Sequence, residues 1–277
     1  MNQIRTCPVC MYHCRLAPGQ LGRCRARKNE QGRIVSVNYG KVTALALDPI
    51  EKKPLRQFYP GSKILSVGSF GCNLSCPFCQ NHEISMHGEQ AADHVEMTPL
   101  QLADLAEEMQ KRGNIGVAYT YNEPLIGHEF VRDCAAIVHA RGMKNVVVTN
   151  GSVQLEILEA LLPDIDAMNI DLKGFTAAHY QRLGGDLHTV QEFIARAARS
   201  THVEVTTLIV PGENDTEEEM AAEAEWLASI DPQIPLHVTR FFPHYRMQER
   251  AATDIALIYR LREVASAYLP HVYVGNC

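Results

Sequence analysis

The chain has 277 residues, 46% of them apolar, and a formal net charge of −6. That length supports one large α/β domain, or a domain with a small module, whose core forms without disulfides. The negative balance leaves no electrostatic footprint for nucleic acid or an anionic membrane, and no apolar run approaches bilayer length. The start, Met1-Asn2-Gln3-Ile4-Arg5, lacks the apolar stretch of a secretory signal, so a cytoplasmic protein is expected. Nine cysteines in such a chain point to metal binding rather than to a disulfide framework.

Residues 1–60 differ in composition from residues 61–277 and are expected to form a small amino-terminal module with lead-in strands. Cys7, Cys10, Cys14 and Cys24 make a Cys-x2-Cys-x3-Cys-x9-Cys set. Four thiolates in a short glycine-bearing segment meet the needs of tetrahedral zinc, and the same number would hold an auxiliary iron–sulfur cluster. His13 can replace one of them. A metal with all positions filled by the protein has a structural or electron-relaying role. Residues 33–39 alternate like a strand.

From residue 64 onward, short apolar runs alternate with amphipathic ones. Strands are predicted at 64–70, 115–121, 145–149, 167–171, 203–210 and 236–242. Helices are predicted at 98–112, where Thr98-Pro99 supplies the cap and first turn, and at 125–141, 154–162, 189–200, 216–229 and 253–268. Alternation of this kind argues for a parallel sheet curled into a barrel or part of one, with its site at the carboxyl ends of the strands. Cys134 falls in the pattern of the second helix and reads as core.

The loop after the first of these strands carries Gly71-Cys72-Asn73-Leu74-Ser75-Cys76-Pro77-Phe78-Cys79-Gln80-Asn81. Most all-cysteine metal sites close with four thiolates. A Cys-x3-Cys-x2-Cys loop offers three, which can hold a cubane 4Fe–4S cluster and leave one iron open to a small molecule. Phe78 can shield that cluster and pack on a flat ligand. This triplet, with an aromatic residue before its last cysteine, resembles the signature of the radical S-adenosylmethionine (SAM) superfamily. The resemblance implies that Cys72, Cys76 and Cys79 hold the cluster and that SAM chelates the open iron. Electron transfer from an external donor then yields a 5′-deoxyadenosyl radical. The superfamily's partial (β/α)6 TIM-like barrel fits six main strands.

The later strand ends carry polar residues. Asn122 and Glu123 present an amide and a carboxylate at a turn closed by Pro124, and a carboxylate there can accept bonds from a ligand ammonium. Many superfamily members have Gly-Gly-Glu here; this chain has Tyr121-Asn122-Glu123. Thr149-Asn150 and Asp171-Leu172-Lys173 resemble the glycyl-radical activase branch, of which pyruvate formate-lyase activating enzyme is the best known. By that resemblance Thr149, Asn150, Asp171 and Lys173 bind SAM. The turn at Val210 can pack on adenine, and His244, Tyr245 and Arg246 are candidates on the substrate or adenine side.

The amino-terminal cysteines, Asp48-Pro49-Ile50-Glu51-Lys52-Lys53-Pro54-Leu55 and the loop 242–247 narrow the resemblance further. Together they are similar, nearly end to end, to the AmmeMemoRadiSam system radical SAM enzymes. That similarity makes Memo-like and AMMECR-like proteins possible partners and does not supply a substrate. Hydrogen abstraction from a protein glycine is one expectation; modification of a peptide, RNA or small molecule is another, and a non-catalytic metal scaffold a third. Longer members continue into a further Cys-x2-Cys tail, so a site built from that tail is not expected here. Cys277 reads equally as a reactive thiol, an extra metal ligand or an inert residue.

Overall fold

The structure, a computed structural model, describes residues 4–277. Met1, Asn2 and Gln3, part of the start that lacks a signal-like stretch, lie outside the described residues. Its centre is a sheet of eight strands: β1 (Ala44–Pro49), β2 (Lys63–Gly68), β3 (Asn114–Tyr119), β4 (Lys144–Thr149), β5 (Ala167–Asp171), β6 (His202–Ile209), β7 (Leu236–Arg240) and β8 (Val272–Gly275). Their order across the sheet follows the chain from β1 at one edge to β8 at the other. β2 to β8 are parallel, and β1 pairs antiparallel with β2. The expectation of six main strands is therefore short by one parallel strand, β8, and by the antiparallel β1. β8 has four residues and β1 has no β-branched residue, so pairing with a neighbour decides them.

Among the described residues seven helices of seven residues or more connect and cover the strands: α1 (Pro99–Glu108), α2 (His128–Ala140), α3 (Leu155–Leu161), α4 (Ala177–Leu183), α5 (Leu187–Ala197), α6 (Glu217–Ile230) and α7 (Ile255–Ser266); a single helical turn, His82–Ser85, follows the cysteine loop. Thr98 and Gln101 form a reciprocal capping box at the start of α1, as the Thr-Pro signal implies. α5 begins two residues before the predicted start because Asp186, not a later residue, accepts from Thr189 N and caps it. α4 has no counterpart among the predicted helices; Thr176, which accepts from His179 N, caps its start.

Strand period two sorts the residues by face. Val147, Ile170, Val205, Ile209 and Val238 meet the helices in the main core. The opposite face carries Asn169, Asp171, Glu204, Thr206, His237 and Thr239. Polar residues inside a parallel sheet are costly unless paired or used, so this face marks the functional side.

Part of that face is filled by the segment after β1. Ile50, Leu55 and Phe58 pack against Ile64, Ala118, Val146 and Ala167. Glu204 accepts from the backbone N–H groups of Arg56 and Gln57 at 2.9 and 2.8 Å, and Asn169 Nδ2 donates to the Pro54 carbonyl at 2.8 Å. The Asp48–Leu55 stretch noted in the sequence thus becomes a plug seated on the sheet.

The amino-terminal residues form two hairpins, Arg5–Thr6 with Arg15–Leu16 and Arg27–Glu30 with Arg33–Ser36; the latter strand is shorter than the predicted 33–39. They dock on the sheet's domain through Gln154 N to Val9 O at 2.9 Å and through Arg27, whose guanidinium lies 2.6 Å from Glu129. Among the described residues no helix is long and apolar enough to cross a membrane.

One buried acid has no part in any site. Glu223 of α6 is 1% exposed and accepts a hydrogen bond from the Thr207 hydroxyl on β6. Burial raises its carboxyl to about 8, against the Thr207 bond and with help from Glu219. A folded-state value above the unfolded one means stability is fullest below the unfolded value and falls as pH rises towards about 8. Glu223→Gln removes that dependence. Urea unfolding should show the variant more stable than wild type at pH 8, by on the order of 2–4 kcal/mol, and equal to it near pH 4.5. Equal midpoints at pH 8 would contradict a neutral buried carboxyl.

Candidate active site

Cys72, Cys76 and Cys79 sit on the loop beyond the carboxyl end of β2. Gly71 takes φ +86°, and a β-carbon there would run into the carbonyl oxygen of Cys24. The loop is tied down by side-chain amides. Asn122 Oδ1 accepts from Ser69 N at 3.0 Å, and its Nδ2 donates to the carbonyls of Phe70 and Gly71 at 3.2 and 3.1 Å. Asn73 donates to Ser152 O at 2.8 Å, and Asn150 Nδ2 reaches Asn73 Oδ1 at 3.0 Å and Cys72 Sγ at 3.6 Å. Ser75 N bonds the Leu183 carbonyl at the end of α4.

The three thiols line a cavity of about 510 Å³ with Phe78, Asn122, Glu123, Thr149, Asn150, Asp171 and Lys173. These predicted residues come from successive strand ends, and the structure brings them to one place. Burial raises all three thiols, Cys76 to about 12 and Cys72 well beyond the ordinary range, with Glu123 adding to the effect at Cys72. Lys173 opposes the shift at Cys76 and Cys79. Buried thiolates become stable here only when a metal supplies positive charge, so the donor set fits a metal–sulfur group bound by three thiolates.

Glu123 is 2% exposed. Its Oε1 accepts from Thr149 Oγ1 and Leu125 N at 2.7 and 2.9 Å, and its Oε2 from Asn150 N at 2.8 Å. Burial raises its carboxyl to about 7 despite these donors, and Asp171 adds to the rise. Lys173 Nζ lies 2.8 Å from Asp171 Oδ2. Burial would discharge this ammonium, but Asp171 and the nearby thiols hold it above the ordinary lysine range.

Four predicted residues, Val210, His244, Tyr245 and Arg246, lie outside the cavity lining. Val210 is fully buried beneath the wall, packed with Leu74, Phe78, Leu183 and Phe241, while Leu208 lines the cavity. β6 alternates, so residues two apart share a face and Val210 begins the turn beyond it. His244 contacts the Gln80 carbonyl at 3.1 Å on the outer side of the cysteine loop. Tyr245 stacks on His82 at 4.4 Å, and Arg246 N bonds Pro77 O at 3.0 Å. β7 ends at Arg240, and the chain that follows packs on the cysteine loop through these contacts, with none of the three residues in the cavity lining. Sequence reasoning missed the plug residues Glu51, Lys52, Pro54 and Arg56, and Thr206, His237 and Thr239, which also line the cavity. The alternation of His202-Val203-Glu204-Val205-Thr206 was the available signal for an inward polar face.

In the amino-terminal set, Cys7, Cys10 and Cys24 are buried and Cys14 is partly so. Cys10 is affected electrostatically by the other three, and burial raises its thiol to about 12. Burial raises the Cys24 thiol too, and the backbone N–H groups of Tyr12 at Cys10 and of Ala26 and Arg27 at Cys24 oppose the rise. N–H groups aimed at sulfur favour thiolates, which suits metal ligation. Among the described residues no three ligating side chains close on a single ion-sized point. Cys134 is buried in the core and Cys277 is exposed.

A model of the radical SAM superfamily matches residues 66–227. An uncharacterized protein of Methanocaldococcus jannaschii is 37% identical over 278 residues, 99% of this chain and 82% of that one. The pyruvate formate-lyase 1-activating enzyme of Escherichia coli is 28% identical over 164 residues, 57% of this chain and 65% of its own length. A solved domain of pyruvate-formate lyase-activating enzyme from Bacteroides vulgatus shares the fold with a TM-score of 0.51 at 21% identity, covering 58% of this chain and 99% of that domain. With more than half of its length in the family model and a relative matched almost end to end, the chain belongs to the radical SAM superfamily.

Proposed function

We propose that the protein reductively cleaves SAM at a 4Fe–4S cluster held by Cys72, Cys76 and Cys79, and that the resulting radical abstracts hydrogen from a substrate. The observation that carries this reading is that three thiols, one buried carboxylate and a partly buried ion pair face the same cavity. When bound, the cluster supplies the electron that breaks the sulfonium and leaves a 5′-deoxyadenosyl radical. Membership of the superfamily implies SAM and a reductant as well as the cluster.

The chain's own residues would hold the ligand. Glu123, ionised, would accept the SAM ammonium, with Thr149 and Asn150 fixing the carboxylate's direction. Asp171 and Lys173 offer an acceptor and a cation for the ribose and the ligand carboxylate. Leu208 takes the adenine-facing place expected of Val210, and Phe78 covers the cluster. Asn122 and His244 steady the cysteine loop from its two sides. The sheet, curled around the cavity as a partial barrel, would keep water from the radical.

Within this chemistry the activase-like reading, with a protein glycine as target, draws on the similarity to the pyruvate formate-lyase 1-activating enzyme. Memo-like and AMMECR-like proteins are candidate partners by the sequence resemblance alone. A bounded cavity with a plugged floor favours the second reading, a small molecule or peptide terminus held inside. A low-potential cluster suits a reduced compartment, the cytoplasm. Residues 1–60 would be a metal-binding module with its lead-in strands, holding zinc or a second iron–sulfur cluster on Cys7, Cys10, Cys14 and Cys24.

Anaerobic reconstitution with iron and sulfide, then dithionite and SAM, should give 5′-deoxyadenosine, and Cys76→Ala should abolish it. A wild-type protein with its cluster intact and no deoxyadenosine would favour the scaffold instead. Cys10→Ala/Cys24→Ala should lose metal by elemental analysis, either one zinc or the iron beyond a single cubane, while the spectrum of the catalytic cluster persists. Unchanged metal content would remove the second site. SAM affinity, read by equilibrium dialysis, should fall by up to about tenfold per pH unit below pH 7, as Glu123 takes up a proton. Glu123→Gln should bind weakly with a flat profile; a wild-type profile equally flat would take Glu123 out of the contact.

A further inference from the structure

Part of the cavity wall has no role in holding a cluster or SAM. It is made by the plug and the inner faces of β6 and β7, and includes Lys52, Arg56, Thr206, His237 and Thr239. At its back, Glu204 is fully buried and takes four donors: Arg56 N at 2.9 Å, Gln57 N at 2.8 Å, His202 Nε2 at 3.0 Å and His237 Nε2 at 2.6 Å. Burial works against its charge, but the two imidazoles and two backbone N–H groups outweigh it and hold the carboxyl down to about 2. A carboxylate satisfied in this way is a fixed anchor, and it orients the His237 ring.

His237 is 4% exposed and lines the cavity. Glu204 takes its Nε2, and Nδ1 has no partner among the described residues. Beside it the plug places Arg56, an exposed residue of the cavity wall whose backbone N–H is bound to Glu204 and whose side chain has no ion pair among the described residues. Lys52 is 69% exposed and 3.6 Å from Asp48, whose other oxygen holds the buried Lys53 at 2.8 Å. Ile50, Leu55 and Phe58 anchor the backbone that carries these cations, so the charges project from a rigid floor.

An imidazole that gives its Nε2 proton to Glu204 presents Nδ1 to the cavity and donates from it to an anion as the imidazolium. A guanidinium binds carboxylate or phosphate through two parallel hydrogen bonds. We propose that this wall is the substrate site and that it binds an anionic group of the substrate, a carboxylate or a phosphate. Arg56 is the principal cation, His237 the buried donor, Lys52 an outer charge and Glu204 a positioning residue. Calling the ligand a substrate rests on the enzymatic reading above. Anion binding is measured without SAM cleavage, so the two fail separately.

The test is calorimetric titration of the reconstituted protein with sodium phosphate and, separately, sodium succinate; the anion that binds tighter identifies the source of the charge. Arg56→Ala, an exposed position whose backbone bond to Glu204 remains, should weaken binding by about tenfold or more. His237→Gln should weaken it as well, and the His237 ring nitrogens of wild type should shift on adding the anion in 15N spectra. Should His237→Gln fail to fold, Arg56→Ala decides alone, with an unchanged melting curve as its control. Binding of neither anion, or equal affinity in wild type and Arg56→Ala, would overturn the proposal.

Discussion

The side-chain amide of Asn122 holds the strand end from which all three cysteines hang. It bonds Ser69, Phe70 and Gly71 at once, so the loop leaves β2 in one direction. A three-thiolate site needs that constraint more than a four-thiolate one, because no fourth ligand closes the geometry. Asn73 and Asn150 extend the clamp to the end of β4, where Glu123 is fixed by three donors. Neutral amides suit this work. They brace the backbone without adding charge beside thiols that already resist ionisation.

Charge in the cavity follows from the same shortage of space. Four anionic groups, three thiolates and Glu123, would repel one another if all were ionised in a buried site. Lys173 is the partly buried cation within reach, and Asp171 keeps it charged. The ion pair therefore belongs to the electrostatics of the cysteine loop as much as to any ligand. Removing Asp171 would leave Lys173 to burial, and removing Lys173 would leave Asp171 to add to the anionic field.

Much of the site was legible in the sequence because strand ends in a parallel sheet share one side, and Pro124, Gly151 and Gly174 mark where they stop. Glu123, Thr149, Asn150, Asp171 and Lys173 came together for that reason. What a polar residue does there was less legible. Asn122 reads as a ligand donor, yet its donors and acceptor all go to backbone, a pairing set by residues fifty positions away. Val210 and His244 fell one residue or one turn beyond the strand ends, where alternation no longer dictates direction. The Asp48–Leu55 stretch stands out as a motif, but its seat on the sheet depends on Glu204 and Asn169, far along the chain. Glu223 sits in a helix rich in glutamate and reads as solvated; only the register of α6 on β6 buries it.

The two cysteine sets are neighbours through one side chain. Tyr12 lies within electrostatic reach of Cys10 and Cys14 on one side and of Cys72 on the other, and its hydroxyl donates to the Gly184 carbonyl. The adjacent Leu183 carbonyl takes Ser75 N of the Cys72–Cys79 loop. Gly71, the hinge of that loop, packs on the Cys24 carbonyl with no room for a β-carbon. A metal on the amino-terminal thiols would fix Cys24 and the Tyr12 turn, and through them the wall against which the catalytic loop folds. The same contacts make the module a short route for an electron from the surface to the cavity if its metal is redox-active. Zinc would leave only the mechanical part of that coupling, so a metal bound there would act as a brace or as a conductor according to its identity.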